Sequence, residues 1–312
     1  MTILHVDENH PLLWEGFEAL GHRNVQAYDT PLDTIRPTLN QYEGLIIRSR
    51  FPVDKSFLNQ ACNLQFIGRV GAGLENIDTA YARQKDIALL AAPEGNQNAV
   101  GEHTLGLLLG LLTKQRLGHL SIQAGNWLRE AHRGWELAGK TVGIIGYGHM
   151  GRSFAQKLSG MGVRVLCHDR IPNRGDAFAS QVPLETLYEQ AQVISLHTDQ
   201  NPSTQPVVNT TFIQKMQQPF WLLNTARGSA VDTQALVEGL RSGKVLGAGL
   251  DVLEYESKSF HSIFQSEERP QALNFLLQAD NVLLSPHVGG WTMESHKRLA
   301  SVILNKFKSL FH

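Results

Sequence analysis

A glycine-rich segment near the middle of the chain has the spacing of a phosphate-binding turn. Gly146, Gly148 and Gly151 follow the apolar run Val142–Ile145 in a Gly-x-Gly-x-x-Gly pattern. The first glycine permits a tight turn, the second lets a pyrophosphate approach the backbone, and the third lets the following helix pack closely on the strand. Asp169 ends the next apolar run, where a carboxylate accepts hydrogen bonds from an adenosine ribose. The segment therefore predicts a dinucleotide-binding strand–turn–helix–strand unit.

The charge of Asp169 indicates which dinucleotide would bind. Its carboxylate can accept hydrogen bonds from both ribose hydroxyls and would repel a 2′-phosphate, so NAD is expected as the cofactor rather than NADP. Arg170 leaves the alternative open, because a nearby arginine can accommodate that phosphate.

Ionisable side chains stand in loops directly after three later apolar runs, and they are Arg227, the pair Glu254 and Glu256, and His287. In an open parallel sheet, ligands bind at the carboxyl ends of the strands, so these groups are expected to face one crevice. Hydride transfer to or from a carbinol carbon needs a proton acceptor for the hydroxyl, and His287 suits this role near neutral pH. A carboxylate beside the imidazole would orient the ring, and the planar fork of Arg227 matches a substrate carboxylate.

Each of these residues also has an ordinary structural explanation when it is taken alone. Arg227 fits a surface loop, His287 fits a hydrogen-bonded structural histidine, and the two glutamates fit a solvated turn. The functional interpretation rests on their occurrence together in a chain that carries a dinucleotide-binding turn.

Short β-type runs alternate with longer helical runs, which is the order of elements in α/β folds with parallel sheets. The predicted strands are Thr2–Val6, Gly44–Arg48, Phe66–Val70, Ala88–Ala91, Val142–Gly146, Val163–Asp169, Val193–His197, Phe220–Thr225, Ala248–Val252 and Val282–Ser285. The predicted helices are Pro11–Leu20, Asn98–Thr113, Met150–Met161, Pro183–Gln190, Thr210–Met216, Asp232–Ser242 and Met293–Leu310. Asp232 is expected to be the N-cap of its helix, and Pro93-Glu-Gly-Asn to be a break before the long helix.

The composition suits a globular protein. The chain has 312 residues, 42% hydrophobic and 18% charged, with a net charge of −1. This length favours two domains, and the lack of a basic surplus argues against nucleic-acid or anionic-membrane partners. No signal peptide or membrane-spanning run is recognised. Cys62 and Cys167 are expected to be buried thiols in a reducing compartment, so we expect a cytoplasmic protein without a metal site.

A series of ordered segments resembles the D-2-hydroxyacid dehydrogenase family, in its NAD-specific branch. The segments cover nearly the whole chain and comprise Gly68–Asp78, Gly95–Thr104, Gly146–Gly151, Leu196–Thr198 with Asn201–Thr204, Asn224–Gly228, Gly247–Glu256 and Pro286–Gly290. The resemblance implies an NAD-dependent oxidoreductase that interconverts a D-2-hydroxy acid and a 2-oxo acid. It places the catalytic set of the family on Arg227, Glu256 and His287, and only this placement selects Glu256 over Glu254.

The resemblance also implies further site residues. Beyond those already named, the cofactor contacts are assigned to His149, Met150, His197, Thr198, Thr225, Ala226, Asp251, Gly289 and Gly290. The backbone N–H groups that would hold the substrate carboxylate are assigned to Gly71, Ala72 and Gly73.

The fold implied by the resemblance has two Rossmann-like or flavodoxin-like domains with parallel sheets, the NAD domain being inserted into a discontinuous substrate domain. Residues 1–95 are expected to form the first part of the substrate domain, 96–286 the NAD-binding domain, and 287–312 a C-terminal helix that returns to the substrate domain. The long helix after Asn98 is expected to form the core of a homodimer, in agreement with its apolar character on all sides.

Within the family, the members that act on 3-phosphoglycerate are the most similar. Arg48, Ser49 and Arg50 follow a predicted strand at the place where those enzymes bind a phosphate. Two guanidiniums with a hydroxyl between them would clamp a dianion, although an ordinary solvated loop also fits this segment. The expected reaction is therefore the interconversion of 3-phosphoglycerate and 3-phosphohydroxypyruvate, in serine biosynthesis.

Other hypotheses stay open at the level of the sequence. The alternatives are a glyoxylate or hydroxypyruvate reductase, an erythronate-4-phosphate dehydrogenase, and an NAD-sensing binding protein of the co-repressor type. Two residues depart from the family: Ser257 follows Glu256 where a proline is usual, and Trp291 replaces a small residue and is expected to narrow the pocket. No C-terminal regulatory domain is expected, because the chain ends with its last predicted helix.

Overall fold

The computed structural model of the chain describes residues 1–199, 206–256 and 269–312. These residues form two compact units: the first contains 1–97 and 291–312, and the second contains 98–256 and 269–290. The sequence places the divisions after residues 95 and 286, and the structure places them after 97 and 290. The segment Asn201–Thr204 and the departure at Ser257 lie outside the described residues.

The first unit is built on a five-stranded parallel sheet with the strand order β2-β1-β3-β4-β5. The strands are β1 (Thr2–His5), β2 (Arg23–Gln26), β3 (Gly44–Ile47), β4 (Phe66–Arg69) and β5 (Ala88–Ala91). The helices are α1 (Pro11–Ala19), α2 (Leu32–Ile35), α3 (Lys55–Gln60), α4 (Thr79–Gln84) and α12 (Met293–Phe311), with a 3-10 turn at Arg36–Gln41. This strand order is that of flavodoxin-like folds.

Helix α12 belongs to the first unit although it ends the chain. It begins with a capping box in which the side chains of Thr292 and Ser295 each accept a hydrogen bond from the other's backbone N–H. Its buried positions include Leu299, Ile303 and Phe307, which pack into one core with side chains of β1, β3, β4 and α1. The sequence separation of α12 from that sheet is what makes the first unit discontinuous.

The second unit is built on a seven-stranded parallel sheet with the order β12-β11-β10-β9-β6-β7-β8. The strands are β6 (Thr141–Ile145), β7 (Arg164–His168), β8 (Ser180–Gln181), β9 (Val193–Leu196), β10 (Phe220–Asn224), β11 (Val245–Leu250) and β12 (Val282–Leu284). The helices are α5 (Pro93–Leu112, which begins in the first unit), α6 (Gln115–Gln123), α7 (His149–Leu158), α8 (Leu184–Gln190), α9 (Thr210–Lys215), α10 (Thr233–Arg241) and α11 (Gln271–Gln278). This is the doubly wound order of a dinucleotide-binding fold, with its switch point between β6 and β9.

The expected α/β architecture with two parallel sheets is confirmed, and Asp232 is the N-cap of α10, accepting a hydrogen bond from the backbone N of Ala235. One expectation about an element is wrong. The predicted break at Pro93-Glu-Gly-Asn is the first turn of α5, because a proline at the first helical position lacks only an N–H that would be unpaired there anyway.

Several elements were not predicted from the sequence, and most of them are short or polar, although α11 has eight residues and buries Ala272, Leu273 and Leu276. These elements are β2, β8, α2, α3, α4, α6 and α11. The expectation that both cysteines are buried is half wrong, since Cys167 is buried and Cys62 is exposed after the end of α3. Within the described ranges, no helix has the length and apolar character needed to cross a membrane.

Candidate active site

The glycine turn between β6 and α7 has the geometry that a phosphate-binding loop requires. Gly146 has a φ of +89°, and a Cβ there would lie 2.6 Å from the carbonyl oxygen of His197. A Cβ at Gly151 would lie 2.2 Å from the oxygen of Gly146, so this glycine allows the helix to approach the turn. Gly148, the N-cap of α7, has no side chain to cap the helix and has open space where a Cβ would stand. The first turn of α7, which carries His149 and Met150, therefore begins at a glycine without a side-chain cap, as do helix N-termini that bind anions.

Asp169 stands directly after β7 and is held by the backbone on both sides. Its Oδ2 accepts a hydrogen bond from the N of Tyr147 at 2.7 Å, and its Oδ1 accepts one from the N of Ile171 at 2.9 Å. Arg170 is the residue that leaves NADP as an alternative cofactor at the level of the sequence. Its guanidinium lies 3.4 Å from the carboxylate of Asp199. The carboxylate that favours NAD is therefore fixed in place, and the neighbouring cation faces another carboxylate.

Two polar atoms at the end of β9 are buried without a hydrogen-bond partner among the described residues: Nδ1 of His197 and Oγ1 of Thr198. The Nε2 of His197 lies 2.8 Å from Oγ of Ser195, and burial lowers the pKa of His197 to about 3, so its imidazole is neutral. Buried polar atoms in native proteins normally have a partner, so two such atoms at the switch point of the sheet indicate a ligand. Together with the glycine turn and Asp169, they fit an NAD cofactor.

The loop after β10 carries Arg227 and is shaped by the buried side chain of Asn224. The Oδ1 of Asn224 accepts a hydrogen bond from the N of Ala226 at 3.1 Å, and its Nδ2 donates to the carbonyl of Arg227 at 2.9 Å. The hydroxyl of Thr225 lies 3.0 Å from that of Thr104 on α5. The backbone that presents Thr225, Ala226 and Arg227 is thus fixed by side chains from the strand and from α5.

Gly228 brings the loop after β10 against the loop after β11. A Cβ at Gly228 would lie 1.9 Å from the carbonyl oxygen of Leu253, a distance that no side chain tolerates. Only glycine permits this approach. The contact places Arg227 next to the segment that carries the two candidate glutamates.

The two glutamates of this segment have different partners. Glu256 lies with its Oε2 3.1 Å from Nδ1 of His287, and both side chains are partly buried. Glu254 is exposed and accepts a hydrogen bond at 3.0 Å from the backbone N of Thr233, the first residue of α10, where the helix dipole favours a negative charge. Glu256 is therefore the acid that pairs with the histidine, and Glu254 stabilises a helix end.

The remaining predicted cofactor residues also follow strands of the second sheet. Asp251 follows β11 and is buried, and its carboxylate accepts hydrogen bonds from the backbone N of Val288 and of Gly289. Gly289 and Gly290 follow β12 in the same loop as His287. The structure thus brings the predicted catalytic and cofactor residues of the second unit to one edge of the sheet, the carboxyl ends of its strands.

The predicted arginine clamp after β3 does not have the expected geometry. The Nη1 of Arg50 donates to the carbonyls of Val6 and Ala27, and its Nη2 donates to the carbonyl of Thr30. The guanidinium of Arg48, in contrast, lies 4.1 Å above the ring of Trp291, within the first unit. The two arginines therefore do not form a pair of matching donors, because the donors of Arg50 hold the backbone of its own unit.

The predicted carboxylate-binding glycines follow β4. The N–H of Gly71 donates to the carbonyl of Arg69 at 2.8 Å, so it is already occupied within the turn. Of the three predicted backbone donors for a substrate carboxylate, this leaves the N–H groups of Ala72 and Gly73. Both residues continue the same turn toward α4.

Several residues that shape the site were not predicted from the sequence. They are Asn224, Gly228, His103, Ser285, and the pair of Tyr147 and Asp176, whose phenol donates to the carboxylate at 2.7 Å. Asn224, Gly228 and His103 stand in segments that the family resemblance marked, Asn224–Gly228 and Gly95–Thr104, and this was the available signal. His103 and Ser285 are 182 positions apart, and nothing in local spacing connects them.

Comparisons with known proteins agree with this geometry. A family model described as "D-isomer specific 2-hydroxyacid dehydrogenase, NAD binding domain" matches residues 105–289. A hydroxypyruvate reductase of Thermotoga maritima is 33% identical over 99% of this chain and 99% of its own. A D-3-phosphoglycerate dehydrogenase of Archaeoglobus fulgidus is 34% identical over 84% of this chain, which spans 48% of that protein.

The crystal structure of a glyoxylate reductase from Paecilomyes thermophila is 26% identical and has a TM-score of 0.86, covering 99% of this chain and 94% of the other. The chain therefore belongs to the D-isomer specific 2-hydroxyacid dehydrogenase family, and it is an oxidoreductase that carries the NAD-binding domain of that family.

Proposed function

We propose that this enzyme reduces a short, unphosphorylated 2-oxo acid, hydroxypyruvate or glyoxylate, to the corresponding hydroxy acid. The observation that carries the choice is the engagement of Arg50 by three backbone carbonyls, which leaves Arg48 as the single arginine of this segment able to meet a substrate anion. A phosphate dianion is typically held by several donors, whereas one guanidinium suits a smaller polar group. The full-length similarity to a hydroxypyruvate reductase supports the same choice.

The catalytic roles follow from the pairing of His287 with Glu256. When bound, NADH would supply the hydride to C2 of the oxo acid, and the glycine turn with Asp169 would hold the cofactor. Because Nδ1 of His287 faces a carboxylate, its hydrogen points there, and Nε2 is the nitrogen that donates a proton to the carbonyl oxygen as it becomes a hydroxyl. Glu256 orients the ring and balances its charge, and Arg227 binds the substrate carboxylate with its planar fork. Solvent then returns the proton to His287.

A panel of oxo acids tests the proposal directly. Hydroxypyruvate, glyoxylate, pyruvate and 3-phosphohydroxypyruvate would each be offered with NADH and with NADPH, and kcat/KM measured from the loss of reduced-cofactor absorbance. We expect hydroxypyruvate or glyoxylate with NADH to give the highest value. A higher value for 3-phosphohydroxypyruvate would overturn the substrate choice, and no turnover of any oxo acid would favour an NAD-sensing binding protein.

The phosphorylated substrate is the second candidate, because of Arg48. Among the residues that the structure describes, none accepts a hydrogen bond from its guanidinium, so its donors remain available above the Trp291 ring. Similarity to D-3-phosphoglycerate dehydrogenases, of which this chain spans about half the length, points the same way.

Replacing each arginine in turn separates their roles. Arg50→Gln should lower thermal stability, since three backbone carbonyls lose charged donors worth about 1.5–3 kcal/mol each, with little change in substrate preference. Arg48→Gln should leave the melting temperature nearly unchanged but lower kcat/KM for the preferred oxo acid. Melting curves and the substrate panel on both variants measure this. If Arg50→Gln changed selectivity while Arg48→Gln did not, the assignment would be reversed.

We also propose that the enzyme is a homodimer that uses the segment 120–135. Its exposed side chains include Leu120 (44%), Ile122 (53%), Trp127 (84%), Leu128 (53%) and Trp135 (57%). A cluster of large apolar side chains on a surface indicates an association site. The partner we expect is a second copy of the same chain.

Light scattering after size exclusion tests the dimer. Wild type should have twice the 34.6 kDa chain mass, and the double variant Trp127→Ser, Leu128→Ser should shift toward the single-chain mass. Leu310→Ser removes another exposed apolar side chain, 61% exposed, from α12 and should have no effect. A wild type that is monomeric at micromolar concentration would refute the proposal.

A further inference from the structure

The loop that carries His287 winds around one buried side chain, that of Asp251, which is 3% exposed. The Oδ1 of Asp251 accepts hydrogen bonds from Oγ of Ser285 at 2.6 Å and from the N of Val288 at 2.9 Å. Its Oδ2 accepts one from the N of Gly289 at 2.7 Å, and its carbonyl accepts one from the N of His287 at 2.8 Å. Four hydrogen bonds from the loop therefore depend on a single residue.

This loop needs such an anchor because the backbone of His287 is strained. Its φ is +55°, the left-handed region, which costs a residue with a Cβ roughly 1–2 kcal/mol. The loop also lies very close to its anchor, since a Cβ at Gly289 would stand 2.8 Å from Oδ2 of Asp251. Hydrogen bonds to Asp251 offset this strain and hold the imidazole in its position beside Glu256.

His103 reaches this anchor from helix α5. Its Nε2 lies 2.9 Å from Oγ of Ser285 and 3.3 Å from Oδ1 of Asp251. The Ser285 hydroxyl has one hydrogen, and it is donated to the carboxylate. Since neither neighbour then offers a hydrogen to His103, the imidazole must carry its own on Nε2 and donate it to them.

We propose that His103 is a positioning residue whose Nε2–H keeps the Asp251 carboxylate and the Ser285 hydroxyl aligned, and so holds the His287 loop in its productive conformation. This inference rests on the proposed role of His287 as the proton donor. In this proposal His103 acts through the loop and does not itself contact the substrate carbonyl or the proton that His287 donates. The second contact of α5 with a catalytic loop, between Thr104 and Thr225, lies one residue further along the helix.

The hydrogen bond from His103 also affects the ionisation of Asp251. Burial alone would raise the pKa of this carboxyl, but hydrogen bonds from His103, then Ser285, Gly289 and Val288, outweigh it, and the pKa lies below the ordinary value. Among the described residues, His103 is the one ion-pair partner of Asp251 within 4 Å. Removing its donor should therefore raise the pKa of Asp251 and let the carboxylate become protonated, with loss of loop contacts, at a higher pH than in wild type.

The test compares His103→Phe, which keeps a ring without the donor, with His103→Gln, which keeps a nitrogen donor at a similar reach. We expect His103→Phe to lower kcat by up to about 10²-fold, the scale of a small displacement of a catalytic group, while the Kd of NADH and the KM of the oxo acid stay near wild type. The acidic limb of its kcat profile should move to higher pH. His103→Gln should recover most of kcat and restore the profile.

Controls separate this inference from the proposed function and from misfolding. Glu102→Gln, the exposed neighbour on α5, should behave as wild type, and melting curves with NADH titrations show whether each variant folds. If His287→Ala were fully active, the proposed function would fail irrespective of His103. If His287→Ala were inactive but His103→Phe kept both kcat and the pH profile, the positioning role alone would be wrong.

A second variant covers the case in which His103→Phe does not fold. Ser285→Ala removes the same link between α5 and Asp251, so it is expected to give the same kcat loss and pH shift. Wild-type behaviour of Ser285→Ala would overturn the inference.

Discussion

At the scale of single residues, side chains of the same type a few positions apart have opposite roles in this enzyme. Glu256 pairs with His287 at 3.1 Å, whereas Glu254 caps α10. The guanidinium of Arg50 donates hydrogen bonds to backbone carbonyls, whereas the guanidinium of Arg48 lies above the ring of Trp291 and keeps its N–H donors available. The members of each pair therefore differ in the partner that the side chain contacts and not in its chemical type.

Cofactor choice is a prediction at this scale. Asp169→Ser removes the charge that would repel a 2′-phosphate, so the ratio of kcat/KM with NADPH to that with NADH should rise on the order of tenfold, or about 1.4 kcal/mol. Steady-state rates with both cofactors measure the ratio. Asp199→Ser, which frees Arg170 but keeps Asp169, should change it less. An unchanged ratio in Asp169→Ser would mean that another group selects the cofactor.

At the scale of elements, the site depends on how loops and helices approach each other. Helix α5 contributes the adjacent residues His103 and Thr104, which contact the loops after β12 and β10, respectively. The loops after β10 and β11 meet at Gly228, where backbone touches backbone. The positions of Arg227 and His287 are consequently set by packing between elements that are far apart in the chain.

Gly228→Ala tests this packing. The added methyl group would overlap the carbonyl of Leu253, and relief of the overlap must move backbone, so we expect a loss of about 1–3 kcal/mol in unfolding free energy and a large fall in kcat/KM. Gly118→Ala on α6, where a Cβ meets nothing within 4 Å, is the matched control and should not destabilise. Urea unfolding and turnover give both quantities. Wild-type turnover in Gly228→Ala would show that the two loops can separate without consequence.

At the scale of the whole molecule, the chain forms two sheets of different strand order, and each of the two units buries a histidine, His5 in the first and His197 in the second. His5 in the first unit is 2% exposed, and burial lowers its pKa to about 4, although a hydrogen bond to Asn24 opposes the shift. His197 in the second unit has its pKa lowered to about 3 by burial. Both imidazoles are neutral in the folded protein at pH values where an unfolded histidine is charged.

This predicts how stability depends on pH. A histidine whose folded pKa lies below 6.5 contributes full stability above pH 6.5, and that contribution falls as pH decreases toward the folded value, because the unfolded chain binds the proton first. Stability should thus decline from pH 7 to pH 5, by up to about 1.4 kcal/mol per pH unit for each such group. His5→Gln, which keeps a donor toward Asn24, should show a shallower decline in urea-unfolding midpoints. Identical slopes for variant and wild type would contradict this.

Local patterns in the sequence were sufficient for much of the fold. The glycine turn, the β-type runs and the N-cap at Asp232 depend on neighbouring residues, and these predictions agree with the structure in type and nearly in extent. Short or polar elements such as β2 and α6 were missed because their formation depends on tertiary contacts that outweigh weak local preferences.

By itself, the sequence determined the two parallel α/β sheets and the NAD-binding turn, and it selected the candidate catalytic residues, because each rests on a short spacing or an ordered series of motifs. Only the tertiary structure decided the partners: that Arg50 holds carbonyls, that Glu254 caps a helix, and that His103 meets Asp251 and Ser285. The physical reason is that hydrogen bonds and ion pairs act over about 3 Å in space, and the residues they join here stand up to 182 positions apart in the chain.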